Sequence, residues 1–88
     1  MAISPHPHTF HCAAFAITSR KAGGNGGNER WLVNPAGLHW HDMFGVPATK
    51  TVYEEATFTQ IAILSGWRLT KVVPVSAKER RLYYERVC

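Results

Sequence analysis

At 88 residues, 45% of them hydrophobic and 11% aromatic, the chain has enough apolar material for one folded domain and too much for a disordered one. No apolar run approaches the ~20 residues a membrane helix needs, and the N-terminus lacks the basic flank of a secretory signal. The net charge of +4 is concentrated in residues 66–88, where six cations face two anions, so an acidic protein is excluded and an electropositive C-terminal end is expected.

Residues 1–8 hold two prolines and no apolar period, and read as a flexible N-terminal arm. Thr9 to Ser19 alternates Phe15 and Ile17 against Phe10, Cys12, Ala14 and Ala16. Both faces are apolar, as expected of an interior strand, and the alanines leave room for a bulky neighbour such as Trp67. Residues 20–29 form a Gly-rich loop on composition. Arg30 to Asn34 is a second strand, stopped by Pro35 and Gly37. Leu38 to Lys50 is too apolar for an ordinary loop, and reads either as a helical turn or as an irregular plug over one end of the sheet.

The next segment reads as a helix. Thr51 and Glu54 have capping-box spacing, Glu54 and Glu55 suit the positive end of a helix dipole, and Ser65-Gly66 is a stop. At 100° per residue, Val52, Tyr53, Ala56, Ile63 and Leu64 share one face; Phe58, Ile61 and Ala62 fall opposite. The second face requires a cover, either the 38–50 segment or another subunit. Trp67 to Val75 alternates as a strand, Ser76 to Glu79 turns, and Arg80 to Val87 returns with Leu82 and Tyr84 on one face. The expectation is a single α+β domain over 1–88: an antiparallel sheet of about four strands, β-β-α-β-β, with one helix packed on one face.

Gly-Trp-Arg-Leu-Thr-Lys-Val-Val-Pro followed by Tyr-Tyr-Glu-Arg resembles a family of very small bacterial proteins known only as a domain of unknown function. Gly66, Trp67, Leu69, Val72, Pro74, Tyr83, Tyr84 and Arg86 carry the likeness, which covers roughly the last third of the chain. It implies a strand, a helix and a closing hairpin, and implies no activity.

Catalytic residues and cofactors are not expected. The glycines of 20–29 are followed by Asn28-Glu29-Arg30 rather than Gly-Lys-Ser/Thr and open no helix, so they lack the means to hold a phosphate. Cys12, Ser65 and His41-Asp42 form no nucleophile elbow or activated thiol. Two cysteines, Cys12 and Cys88, without a signal peptide suit thiols in the cytoplasm. The leading expectation is a non-enzymatic cytoplasmic interaction module that forms a homo-oligomer, a dimer, through Phe58, Ile61, Ala62, Trp40 and Phe44, with no membrane contact. It suits an accessory bacterial, phage or mobile-element product, and a different protein partner could occupy the same surface.

Two alternatives stand beside it. A nucleic-acid-associated protein would use the basic patch Arg68, Lys78, Arg80, Arg81 and Arg86, with tyrosines for stacking. A metal binder would use His6, His8, His11, His39 and His41, whose spacing matches no zinc-finger pattern.

Overall fold

Seven elements emerge in the computed structural model, which describes residues 11–23 and 29–87. They are β1 (His11–Ala22), β2 (Arg30–Val33), α1 (Trp40–Phe44), β3 (Tyr53–Glu54), α2 (Glu55–Leu64), β4 (Arg68–Ser76) and β5 (Glu79–Val87). The five strands form one antiparallel sheet in the order β3-β2-β1-β5-β4. Over the described residues the fold is therefore α+β, with five strands rather than about four and two helices rather than one. β1 is central, in keeping with its two apolar faces. The predicted arm, residues 1–8, and Gly24 to Asn28 of the predicted loop lie outside the described residues.

The additional strand arises where a helix start was expected. Tyr53 and Glu54 pair with Val33 and Leu32, which holds them extended. Helix α2 consequently begins at Glu55, and no side chain caps its first turn. Thr51 and Glu54 have the right spacing for a capping box, but strand pairing takes the backbone first.

The stop is the one expected. Gly66 adopts a φ of 93°, which a Cβ would disfavour. Its N–H bonds to the Ile63 carbonyl at 3.1 Å, and the Trp67 N–H bonds to the Ala62 carbonyl at 2.9 Å. This is the paired hydrogen-bonding of a Schellman motif. Helix α1 ends similarly at Gly45, with a φ of 75° and a bond from its N–H to the His41 carbonyl.

Both helices lie against one face of the sheet. Phe15, Ile17, Val33, Leu82 and Tyr84 point toward them, and Phe58, Ala62, Trp40 and Phe44 point back. Phe15 is the hub: it stacks on Tyr84 at 4.9 Å and meets Phe44, Phe58 and Trp67 edge-on. The packing of Trp67 corrects the expectation that it fills the space over the alanines. Trp67 sits with Phe15 on the helix side, whereas Ala14 and Ala16 are on the other side.

The two helix C-termini meet over this core. Arg86 donates to the carbonyls of Met43 (2.7 Å) and Ser65 (3.2 Å) while its guanidinium lies 4.4 Å above the Trp67 ring. The Trp67 indole donates to the same Met43 carbonyl at 2.9 Å. A cation that closes orphan carbonyls at a helix end is favoured by the dipole as well. Gly66, Trp67, Tyr84 and Arg86, four positions of the family-like pattern, thus have architectural work here.

Two core tyrosines give the domain a pH signature. Burial holds the Tyr84 phenol above its usual value of 10, with the Glu55 charge adding and the Thr59 hydroxyl opposing. Burial acts in the same sense on Tyr53. Hydrogen bonds from the Thr49 side chain and the Thr49 and Lys50 amides, helped by the Lys50 charge, nevertheless bring it below 10. A raised phenol stabilises the fold fully below pH ~10 and ceases to do so as pH climbs through its folded value; a lowered phenol adds stability only on the alkaline side. Urea unfolding at pH 8 and pH 11 is expected to show a smaller alkaline loss for Tyr84→Phe than for the unsubstituted chain, and a larger one for Tyr53→Phe. The opposite ranking would show that these environments are assigned wrongly.

Candidate functional site on the open sheet face

Among the described residues, no helix covers the second face of the sheet. Strand pairing decides what stands there. Ala16 pairs with Tyr83, Thr18 with Arg81, and Arg20 with both Glu79 and Leu32. Directly paired residues share a face, so these side chains form one surface, joined by Ala14 and Glu85. On β4 a register shift between Leu69 and Lys71 changes the alternation: Lys71 pairs with Tyr83 and Val73 with Arg81, while Leu69 and Val72 oppose Tyr84 and Leu82. Strict alternation over Trp67 to Val75 would place Leu69 and Val73 on the same side.

The charges on this face are mostly matched. Arg20 meets Glu79 at 3.0 Å, Arg30 meets Glu54 at 2.9 Å and Arg68 meets Glu85 at 2.7 Å. Lys71 lies 4.7 Å above the Tyr83 ring. Arg81 is exposed and has no ion pair among the described residues. Beside it a groove of about 620 Å³ crosses from β5 over β1 to β2, lined by Ala16, Thr18, Leu32, Asn34, Val52 and Arg81 among others. Small side chains on β1 make its floor low.

No protein-family model, curated protein or solved structure matches the chain. Residues and geometry therefore carry the functional reading.

The sequence-derived site residues divide sharply. Phe58, Ala62, Trp40 and Phe44 are core residues, and Ile61 is partly buried against them. The four core residues offer no surface to a partner in this structure, which corrects the expectation that they form an interface. Their cover comes from the chain itself: Phe58 touches Trp40 and Phe44 of α1 as well as Phe15 and Tyr84 of the sheet. The exposed side of α2 is the one carrying Ile63 and Leu64, the latter 77% exposed.

The basic patch also divides. Arg86 is held by helix carbonyls, and Arg80 forks onto Glu55 with its guanidinium 3.9 Å from the Trp31 ring. Arg68, Lys78 and Arg81 remain at the surface. His39 and His41 are exposed at α1, His6 and His8 lie outside the described residues, and the same holds for the His11 side chain. Among the described residues, no three His, Cys, Asp or Glu side chains come together as a metal site would require.

Sequence reasoning missed the groove. Thr18, Leu32, Asn34 and Val52 are far apart in the chain, and only the register of β1 with β2 and β5 gathers them. The one advance sign was the apolar second face of β1.

Proposed function

We propose that this protein is a small non-enzymatic interaction module of the cytoplasm, an accessory bacterial, phage or mobile-element product, that pairs with a second copy of itself. The observation that supports self-association is the outer strand. Val72, Val73 and Val75 are 43%, 37% and 57% exposed, and Pro74 between them is exposed too. Four consecutive apolar residues open to water on both faces of an edge strand are a liability in a monomer. A partner that covers them removes it.

The same strand limits how the partner docks. Pro74 lacks an N–H, the ladder is irregular at Leu69/Lys71 and Pro74/Ser76, and Lys71 adds charge. These features hinder open-ended strand addition while leaving the valine side chains available. They favour a closed two-fold contact, with each hairpin packing on its twin. No described helix is long and apolar enough to cross a membrane.

The nucleic-acid reading has less support. Arg80 and Arg86 are occupied within the fold, and Tyr83 is the one tyrosine among the open-face side chains, under Lys71. The two readings respond oppositely to salt. An apolar contact between two basic hairpins tightens as salt screens their repulsion, whereas phosphate binding weakens.

Sedimentation and light scattering at 50 and 500 mM NaCl are expected to show a dimer that strengthens with salt. Val72→Lys/Val75→Lys is expected to weaken it at least about 1,000-fold, since a two-fold contact loses four valines at ~1–1.5 kcal/mol each. At concentrations where the unsubstituted chain is monomeric, the melting temperature should barely move, since both positions are exposed. A strict monomer at high micromolar concentration sinks the proposal. Salt-sensitive binding of mixed oligonucleotides by a monomer would favour the other reading.

A further inference from the structure

The groove beside Arg81 has a chemical character of its own. Its floor and far wall are apolar, from Ala16, Leu32 and Val52. Its polar groups all have donors to spare. The Arg81 guanidinium has no counter-ion and the Thr18 hydroxyl no partner among the described residues. Asn34 already uses its carbonyl oxygen to accept the Ala36 N–H at 2.9 Å, and its amide N–H₂ has no partner among the described residues. Arg20, which also lines the groove, is engaged with Glu79 at 3.0 Å, and Glu54, opposite Leu32, with Arg30 at 2.9 Å. Three donor groups and one unmatched positive charge thus border an apolar trough, with no carboxylate among the residues lining it. Complementarity requires a ligand with acceptor oxygens and a negative charge at one end and a hydrocarbon body at the other.

The geometry points to a binding site for a small amphipathic carboxylate, its head on Arg81, Thr18 and Asn34 and its aliphatic body along Leu32 and Val52. A volume of about 620 Å³ falls within the ~300–1,000 Å³ of small-ligand sites. A nucleic-acid strand fits less well, because the trough offers an unmatched cation at only one end and no aromatic along its length. From Arg81 the trough runs over β1 to Leu32 of β2, while Val73 of β4 pairs with Arg81 on its other side.

The test is a titration of the isotope-labelled full chain with octanoate, followed by amide NMR, at concentrations below micelle formation. Octanoate is expected to shift Ala16, Thr18, Leu32 and Asn34 saturably. Arg81→Gln should weaken it about tenfold, the usual scale for one charged hydrogen-bonding partner, and octanamide should be weaker than octanoate by a similar factor. Leu32→Glu should abolish binding. Thr18→Val, which keeps the side-chain volume, separates lost donation from misfolding and should weaken binding by a smaller factor. The proposal is overturned if Arg81→Gln binds as well as the unsubstituted chain or if octylamine matches octanoate. Shifts confined to Val72–Val75, with none at Leu32 and Asn34, would also overturn it, as indiscriminate greasy contact. Acetate or inorganic phosphate binding there as tightly as octanoate would overturn it too, since no apolar body would then be read.

Discussion

Phe58→Glu is expected to abolish cooperative folding, and Leu64→Glu to leave the domain almost untouched. The two residues sit six apart on the same helix, and their exposures are 0% and 77%. Phe58 has aromatic neighbours on the sheet and on α1, with centroids between 5.7 and 6.2 Å away. Removing a buried Phe side chain alone costs about 3–5 kcal/mol, and a carboxylate placed there has no cation to meet it. An 88-residue chain has only about 4–13 kcal/mol in total at usual per-residue stabilities. Circular dichroism melts read the outcome directly. A folded Phe58→Glu together with an unfolded Leu64→Glu would mean that α2 is rotated by half a turn relative to the sheet.

That contrast also shows why the helix was legible and its orientation was not. Apolar residues occur on both sides of α2, so periodicity finds the helix but cannot choose the buried face. Tertiary contact chooses it: Phe58 and Ala62 fit between the sheet and α1, and Ile63 and Leu64 are left outside. The strands were easier, because Leu82 and Tyr84 alternate cleanly with Tyr83 and Glu85. The two-residue β3 was hidden because its extended state comes from pairing with β2, a long-range cause that a capping motif imitates locally.

The arginines divide for a related reason. In sequence, Arg80 and Arg81 are neighbours with equal claims to a basic patch. In a pleated strand they point to opposite faces. Arg80 is drawn into the helix side and Arg81 stands on the open side. Composition could count the charge of the last third, but the pleat decides which of it is free to act on a partner.

Arg80 leads to the second large effect. Glu55, in the first turn of α2, accepts Arg80 Nη2 at 2.6 Å and Arg80 Nε at 2.9 Å, and also the hydroxyl of fully buried Ser19 at 2.6 Å. The carboxylate thereby ties the helix start to two central strands and also faces the positive end of the helix dipole. Each partner is less than a third exposed, so solvent screening is incomplete. Glu55→Ala is expected to cost about 2–3 kcal/mol, between the value of one charged hydrogen bond and that of a broken buried pair. Glu55→Gln keeps an acceptor for Ser19 and should cost less. Arg80→Met keeps the hydrocarbon stem over Trp31 while removing the fork. If the three groups act as a unit, the double variant Glu55→Ala/Arg80→Met should be more stable than the sum of the single losses by at least about 1 kcal/mol. Additive losses in urea unfolding would show instead that the pair contributes little and that Ser19 and the dipole carry the anchoring of α2.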